Sequence, residues 1–230
     1  MRIAAVGFLI LATSLHAQPA VQDDVDAVLR GWEKAMNEAP SFAAVVNRKT
    51  VDALINEEFA GYVILKMDAP KKGAIQARLD LTNAKNKNSF EKIICTDGKL
   101  YQFNTAKQIV LAQDMQPNAL RDNSLLSFVL GMSPKDARAN FDVQFEPNAP
   151  KDGYFYLRLT PKQATDFTVA QLAIHRSNHL LASVRYLQRG GGVTTWTFTN
   201  IKTNGNWPAA QFEPTLPNKE WRFETVRPVR

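Results

Sequence analysis

Residues that could carry out catalysis or bind a metal are few in this chain, and their spacing fits no reactive arrangement. Cys95 is the single cysteine among 230 residues and follows Ile93 and Ile94, which excludes an internal disulfide and predicts a small buried side chain. His175 and His179 lie in a predicted strand and the turn after it, without the HExxH or CxxC spacing of metal sites. We therefore predict no catalytic site, no metal site and no cofactor. An enzyme would need His175 beside paired carboxylates in a cleft.

The remaining polar motifs have structural explanations. Gly190-Gly191-Gly192 lacks the Lys-Ser/Thr pair of a phosphate-binding loop, so it predicts a hairpin turn. Asp23, Asp24 and Asp26 cluster where a helix is predicted to begin, and carboxylates there are stabilised by the helix dipole. None of these residues indicates an enzyme.

The charge of the chain favours no nucleic-acid partner. The formal net charge is +6, but lysine and arginine are scattered and form no recognition motif. Attraction to anionic lipid head groups or acidic surfaces is a better interpretation than nucleic acid, but each exposed charge adds only about 1 kcal/mol there. A solvated charged surface is the default interpretation.

Residues 1–17 have the layout of a signal peptide. Met1-Arg2 is basic, Ile3 to Ala12 is apolar, and Ala17 supplies a small residue for cleavage. The apolar run is too short for a permanent membrane span. We expect export of the mature chain, in a single domain over residues 21–225.

Hydrophobic periodicity predicts one well-defined helix followed by many strands. Val25, Val28, Leu29, Trp32 and Met36 form one apolar stripe, and the helix should end near Ala39-Pro40. Strands are predicted over 42–51, 59–67, 74–81, 90–96, 99–104, 108–112, 141–145, 154–160, 171–175, 181–188 and 193–201. Asp97-Gly98 predicts a tight hairpin turn. Short helices are predicted over 123–131 and from Ser133-Pro134 through Arg138, and the proline-containing tail is interpreted as extended surface coverage rather than strands.

These elements predict a mainly β (α+β) fold. About ten antiparallel strands form a long sheet, which must curl or split into two layers. The helices have apolar faces that need burial, so an incomplete barrel or strongly curved sheet with a helical lid is expected. A flat sheet with helices packed on one side is the alternative.

Aromatic residues are the most prominent feature of composition, with 13 Phe, 4 Trp and 5 Tyr. Several strands, such as 59–67 and 155–159, are apolar on one or both faces. Two interpretations remain open: an ordinary packed core, or a cavity that binds an apolar ligand.

Several stretches, in this order, resemble the LolA-like group of exported bacterial carriers of lipoproteins or lipids. They are the first helix, Ser41 to Val45, Phe59 to Val63, Cys95 to Phe103, Leu125 to Met132, Leu159 to Lys162, and Phe212 to Pro214 with Trp221. The sequence is most similar to a planctomycete branch of that group. The resemblance implies an incomplete antiparallel barrel closed by helices, with an apolar interior and a periplasmic location.

One departure from the carriers of this group lies after the second strand. The family has an arginine immediately before the proline that ends this strand, and that arginine helps to close the lid. Asp68-Ala69-Pro70 occupies the corresponding place here. The same fold also serves sensors that bind envelope proteins, so a protein-interaction module without lipid cargo is the alternative function.

The predicted function is an exported carrier that is not an enzyme and acts as a monomer, with transient contact to a membrane surface. Its partners would be lipid or lipoprotein acyl chains and an envelope protein. The candidate cavity-lining residues are Phe59, Val63, Leu65, Ile75, Leu79, Phe155, Leu157, Trp196 and Phe198. The candidate lid residues are Leu125, Leu126, Phe128 and Val129.

Overall fold

The computed structural model describes residues 24–67, 75–115, 128–129 and 131–225. Two helices and twelve strands in these ranges make up the fold. In chain order they are α1 (Val25–Asn37), β1 (Ser41–Val51), β2 (Asn56–Met67), β3 (Ile75–Asn83), β4 (Phe90–Thr96), β5 (Lys99–Asn104), β6 (Ile109–Asp114), α2 (Pro134–Asn140), β7 (Phe141–Phe145), β8 (Tyr154–Pro161), β9 (Phe167–His175), β10 (Leu181–Gln188), β11 (Val193–Lys202) and β12 (Arg222–Thr225). A 3-10 helix, Ala209–Phe212, precedes β12.

Helix α1 forms where its apolar stripe predicts it. The Asp24 carboxylate accepts a hydrogen bond from the Asp26 backbone N–H at 3.0 Å and so caps the first turn. Val28, Leu29, Trp32 and Met36 are all buried. Because the stripe lies on one side of the helix, α1 covers the sheet with that side and presents its charged residues to solvent.

The strands form one strongly curved and unclosed sheet, as predicted. Its order is β12-β6-β5-β4-β3-β2-β1-β11-β10-β9-β8-β7. β1 therefore lies inside the sheet, between β2 and β11, and pairs antiparallel with both. The two terminal strands, β12 and β7, are not neighbours in this order, so the sheet is an incomplete barrel.

Among the described glycines, Gly61 has the least room for a side chain, because β3 approaches β2 closely at this position. A Cβ added at Gly61 would collide with the carbonyl oxygen of Asp80 on β3. Only a residue without a side chain fits this approach, and glycine inside a strand commonly marks such a bend. Gly61 therefore permits the local curvature between β2 and β3.

The prediction that the proline-containing tail forms no strand is wrong. Residues Arg222–Thr225 form β12, which pairs with β6 in parallel register from Arg222 opposite Ile109 to Thr225 opposite Ala112. The tail segment around Trp221 is free of proline, so its N–H groups can join the edge of the sheet. The sheet thus contains twelve strands, one pair of which is parallel.

The curved sheet has an inner and an outer core. The larger core joins α1 to side chains from β1–β4 and β7–β11, and we call this side the inner face. The smaller core lies on the other side, where Phe212 and Trp221 of the tail cover Ile64, Ile94 and Val110. Because the larger core connects strands from both halves of the sheet, it marks the inside of the curve. None of the helices in the described ranges is long and apolar enough for a transmembrane segment.

Candidate functional site

The predicted lining residues all lie in or against the inner core. Buried members are Phe59, Val63, Leu65, Leu157, Trp196 and Phe198, and partly buried members are Ile75, Leu79 and Phe155. The register explains this grouping: Leu79 lies opposite Val63, which in turn lies opposite Ala44. Side chains on neighbouring strands that face each other in register point to the same side of the sheet. The inner face is therefore a continuous apolar surface across many strands.

Helix α1 covers this surface. Its buried side chains, including Trp32 and Met36, belong to the same core as the lining residues. Gly31 allows a close approach to the turn between β9 and β10, because a Cβ at this position would lie 2.7 Å from Cγ of His179. The Trp32 Nε1–H is buried and has no acceptor among the residues that the structure describes.

Two of the predicted lid residues are described, and both are buried in the inner core. Phe128 packs against the rings of Phe141 and Tyr186, each with a centroid distance of 5.9 Å. Val129 is 1% exposed. Leu125 and Leu126 lie outside the described residues, as does most of the helix predicted over 123–131.

Gly131 brings the segment after Phe128 and Val129 against α1. Its φ is +82°, and a Cβ there would lie 3.2 Å from Cβ of Met36. Both the left-handed backbone and the narrow space favour glycine.

A charged pair lies at the border of the apolar inner face, and the sequence pattern alone did not identify it. Arg48 on β1 forms a bidentate ion pair with Glu91 on β4, with both nitrogen–oxygen distances at 2.6 Å. The Arg48 guanidinium also lies over the rings of Phe59, at 4.4 Å, and Trp196, at 5.3 Å. A sequence signal existed, since Arg48 continues the alternate positions of Phe42, Ala44 and Val46.

The outer face carries a second polar group. Asp80 accepts hydrogen bonds from the Tyr62 hydroxyl at 2.6 Å and from Arg78. Burial, followed by the hydrogen bond to Asp80, raises the pKa of Tyr62 to about 12, and burial lowers the pKa of nearby Lys92. Tyr62, Asp80 and Lys92 line a cleft of about 300 Å³, together with Gly61, Leu81, Thr82, Phe90 and Glu91. None of the nine predicted lining residues belongs to this cleft.

The histidines have packing contacts. His175 contacts the ring of Tyr154 with a centroid distance of 4.8 Å, and His179 stacks on Phe155 at 5.7 Å. Among the described residues, no group of three or more His, Cys, Asp or Glu side chains could hold a metal ion. Cys95 is fully buried, as the apolar run around it predicts.

The fold and the inner face together define a class of proteins: half-barrels whose apolar inner face is covered by a helix. Within this class, the pattern of the family described as "Outer membrane lipoprotein carrier protein LolA" matches residues 77–215. The chain belongs to the LolA family. No curated protein matches the sequence significantly, and the planctomycete branch stays a prediction.

Two solved structures show the same fold at low sequence identity. An uncharacterized conserved protein from Thermus thermophilus has a TM-score of 0.53 and 13% identity, over 87% of this chain and 98% of that one. MucB in complex with MucA(peri) has a TM-score of 0.50 and 15% identity, over 88% of this chain. The match spans 63% of the MucB chain, which is less than two thirds of its length.

Proposed function

We propose that this protein is an exported, non-catalytic carrier that binds lipid, or the acyl chains of lipoproteins, on the inner face of its sheet. The observation that supports this proposal is the continuous apolar inner face beneath α1. Membership of the LolA family agrees with it. The proposal includes cleavage of residues 1–17, a single domain over residues 21–225 and a periplasmic location.

On binding, the acyl chain of the ligand would replace the apolar side chains of α1 on the inner face. Each methylene removed from water contributes about 0.8 kcal/mol, so a chain of roughly fourteen methylenes gains about 11 kcal/mol before other costs. The buried side chains of α1 occupy the inner core in the closed protein. Displacing them exposes apolar surface again, so the helix competes with the ligand and makes release feasible.

The predicted residues have separate roles in this proposal. The lining residues, from Phe59 on β2 to Phe198 on β11, would contact the acyl chain. Phe128 and Val129, with Leu125 and Leu126, would form the lid together with α1. The burial of Phe128 and Val129 in the inner core fits a lid that covers the apolar face when no ligand is bound.

A reversible lock on α1 tests the proposal. Position 31 lies against His179, so the double substitution Gly31→Cys/His179→Cys places a removable disulfide between α1 and the β9–β10 turn. Oxidation should lower uptake of a fluorescent C16 fatty acid by at least about tenfold, because α1 could no longer leave the inner face. Reduction should restore uptake to the wild-type value.

Two controls make the result decisive. The single substitution His179→Cys, treated with the same oxidant, should keep wild-type uptake. Native mass spectrometry of gently purified protein should also detect co-purified lipid. Equal uptake by the oxidised and reduced double variant would show that α1 does not need to move for the ligand to bind, and so is not its cover. A complete lack of probe uptake and of co-purified lipid would contradict the carrier function itself.

The alternative function is an envelope sensor or protein-interaction module without lipid cargo. Its support is the filling of the inner face by Trp32, Met36 and Phe128, each at most 1% exposed. The MucB structure, solved in complex with MucA(peri), shares the fold. A protein that binds no acyl probe in any redox state but retains an envelope protein in pull-downs would establish this alternative.

A further inference from the structure

We infer that the preferred ligand is an amphiphile with an anionic head group, carboxylate or phosphate, and that Arg48 binds this head group while the acyl chain occupies the inner face. This inference rests on the proposed function and adds to it the class of ligand and a specificity-determining residue. Its structural basis is the Arg48–Glu91 pair at the border of the inner core.

The position of the pair suits a head group. The side chain of Arg48 is 17% exposed and that of Glu91 is 42% exposed. The rings of Phe59 and Trp196 that hold the guanidinium belong to the apolar inner core. The pair therefore lies where apolar surface meets solvent, so a ligand could place its tail inside and its charged end beside Arg48.

The register shows how Arg48 reaches across the sheet. Glu91 lies opposite Leu81, and Leu81 lies opposite Gly61. Gly61 in turn lies opposite Val46 on β1, one inward position before Arg48. The Arg48 side chain therefore passes over β2 and β3, beside Gly61 and Leu81, to reach Glu91 on β4.

The chemistry of the Arg48–Glu91 pair favours replacement of the Glu91 carboxylate by the anionic head group of a ligand. A largely buried guanidinium that loses its counter-charge is destabilised, so a neutral ligand head group replaces Glu91 less favourably than an anion does. A ligand carboxylate or phosphate can, because both accept the same two parallel hydrogen bonds from arginine. The half-exposed Glu91 can then turn to water, where its charge is solvated. Glu91 acts as an internal competitor for the head-group site.

Arg48 also has unused binding capacity. Its Nε–H is buried and has no acceptor among the described residues, while the two terminal nitrogens are occupied by Glu91. Because the Nε–H points along a different edge of the guanidinium from the Nη1/Nη2 pair, a head group with an additional oxygen that reaches this edge can accept a third hydrogen bond. We therefore expect a phosphate ester to bind at least as tightly as a carboxylate of the same chain length.

The test compares probes that share a C16 chain and differ in the head group. Hexadecanoate, hexadecyl phosphate and uncharged hexadecanol are each titrated as competitors of a fluorescent fatty-acid probe. The wild-type protein should prefer both anions over the alcohol by about tenfold or more, as expected for charge-assisted hydrogen bonds. Comparison of the two anions separates carboxylate-bearing from phosphate-bearing ligands.

Variants of the pair should shift this preference in opposite directions. Glu91→Gln removes the competitor and should tighten anion binding several-fold without changing binding of the alcohol. Arg48→Gln should abolish the preference for anions over the alcohol. The double variant Arg48→Gln/Glu91→Gln should behave like Arg48→Gln and has no unpaired charge that could impair folding. Arg78→Gln, on the outer face beside Asp80, is the matched control and should keep the wild-type preference.

The possible results distinguish the inference from the function on which it rests. Equal binding of anions and alcohol by the wild-type protein would overturn the inference and leave the carrier function intact. A preference that persists in the double variant would also overturn it. If none of the three competitors binds, the carrier function and the inference both fail.

Discussion

Cys95 is held in a form that cannot react. The side chain on β4 is fully buried, and burial raises the pKa of its thiol to about 12. The thiolate is the nucleophile in cysteine chemistry. The native protein therefore presents no reactive thiol at neutral or mildly alkaline pH.

Thiol titration should show this protection directly. We expect native protein to be unreactive toward Ellman's reagent at mildly alkaline pH, and fully unfolded protein in guanidinium chloride to react at once. The stabilising effect of the neutral buried thiol is complete below the ordinary pKa of cysteine and is lost as pH rises toward about 12. Cys95→Ala should lose less stability than the wild type over this pH range, while the loss due to Tyr62, whose pKa is also raised, should remain. Rapid labelling of the native protein would show that β4 opens readily.

Arg48 shows what the sequence reveals and conceals at the scale of a single residue. The alternation of Phe42, Ala44 and Val46 assigns position 48 to the apolar face, so a charge there is visible as an exception. Its partner was not predictable, because Glu91 lies on β4, with β2 and β3 between the two strands. Such a pair depends on the register of three strand pairings at once.

At the scale of elements, the β2–β3 pairing is limited by one glycine. The backbone of β3 at Asp80 occupies the space that a side chain at Gly61 would need. Gly153, in the loop before β8, has no heavy atom within 4 Å of an added Cβ. The two glycines therefore form a matched pair for mutation.

Alanine substitution should separate the two positions. Gly61→Ala should destabilise the protein by about 3 kcal/mol, because a backbone atom cannot move aside as a flexible side chain can. Gly153→Ala should change the unfolding free energy by less than about 0.5 kcal/mol. Urea unfolding followed by circular dichroism measures both. Similar stabilities of the two variants would show that β2 and β3 can separate without cost.

Local sequence signals predicted most helices, strands and turns, but a strand that depends on pairing with a distant segment was missed. The Asp97-Gly98 turn formed as expected, with φ of 50° and 71°, because a two-residue hairpin needs only local backbone preferences. Helix α2 begins at Pro134 with the Ser133 hydroxyl accepting from Asp136 N–H. β12 was missed because its parallel partner β6 is distant in sequence and its exposed residues lack alternation in burial.

At the scale of the whole molecule, the sequence predicted that the sheet has an apolar inner face, but not which side of each strand forms it. Periodicity assigns Val63 and Leu65 to one side of β2 and Tyr62 and Ile64 to the other. Both sides are apolar enough to be buried, and the structure buries both, one under α1 and one under the tail. The direction of curvature decides which becomes the inner face, and that depends on the packing of all elements together.

We expect the transient contact with a membrane surface, if the protein is a carrier as proposed, to involve the turn between β1 and β2. Leu54 is 96% exposed, and Val51 and Ile55 beside it are also exposed. The Asp52 carboxylate accepts hydrogen bonds from the N–H groups of Leu54 and Ile55 at 2.7 and 2.6 Å. The turn therefore presents apolar side chains to solvent in a fixed conformation.

Vesicle binding should depend on this turn. Leu54→Ser should weaken partitioning into anionic phospholipid vesicles by about tenfold, since burial of one leucine contributes roughly 1.5 to 3 kcal/mol. Leu216→Ser, at an exposed leucine in the tail, should leave partitioning unchanged. Flotation assays measure both. Equal loss in the two variants would indicate nonspecific adsorption rather than contact through the β1–β2 turn.

The place of β1 inside the sheet also governs the order in which the protein can assemble. The Ser41 hydroxyl donates a hydrogen bond to the carbonyl of Gly205, 164 positions later, and β1 pairs with β11 along most of its length. A ribosome must synthesise nearly the whole chain before the first strand acquires its second neighbour. Such distant pairing slows folding, and it keeps the N-terminal half unfinished during synthesis, which is the state that the proposed export through a narrow pore would require.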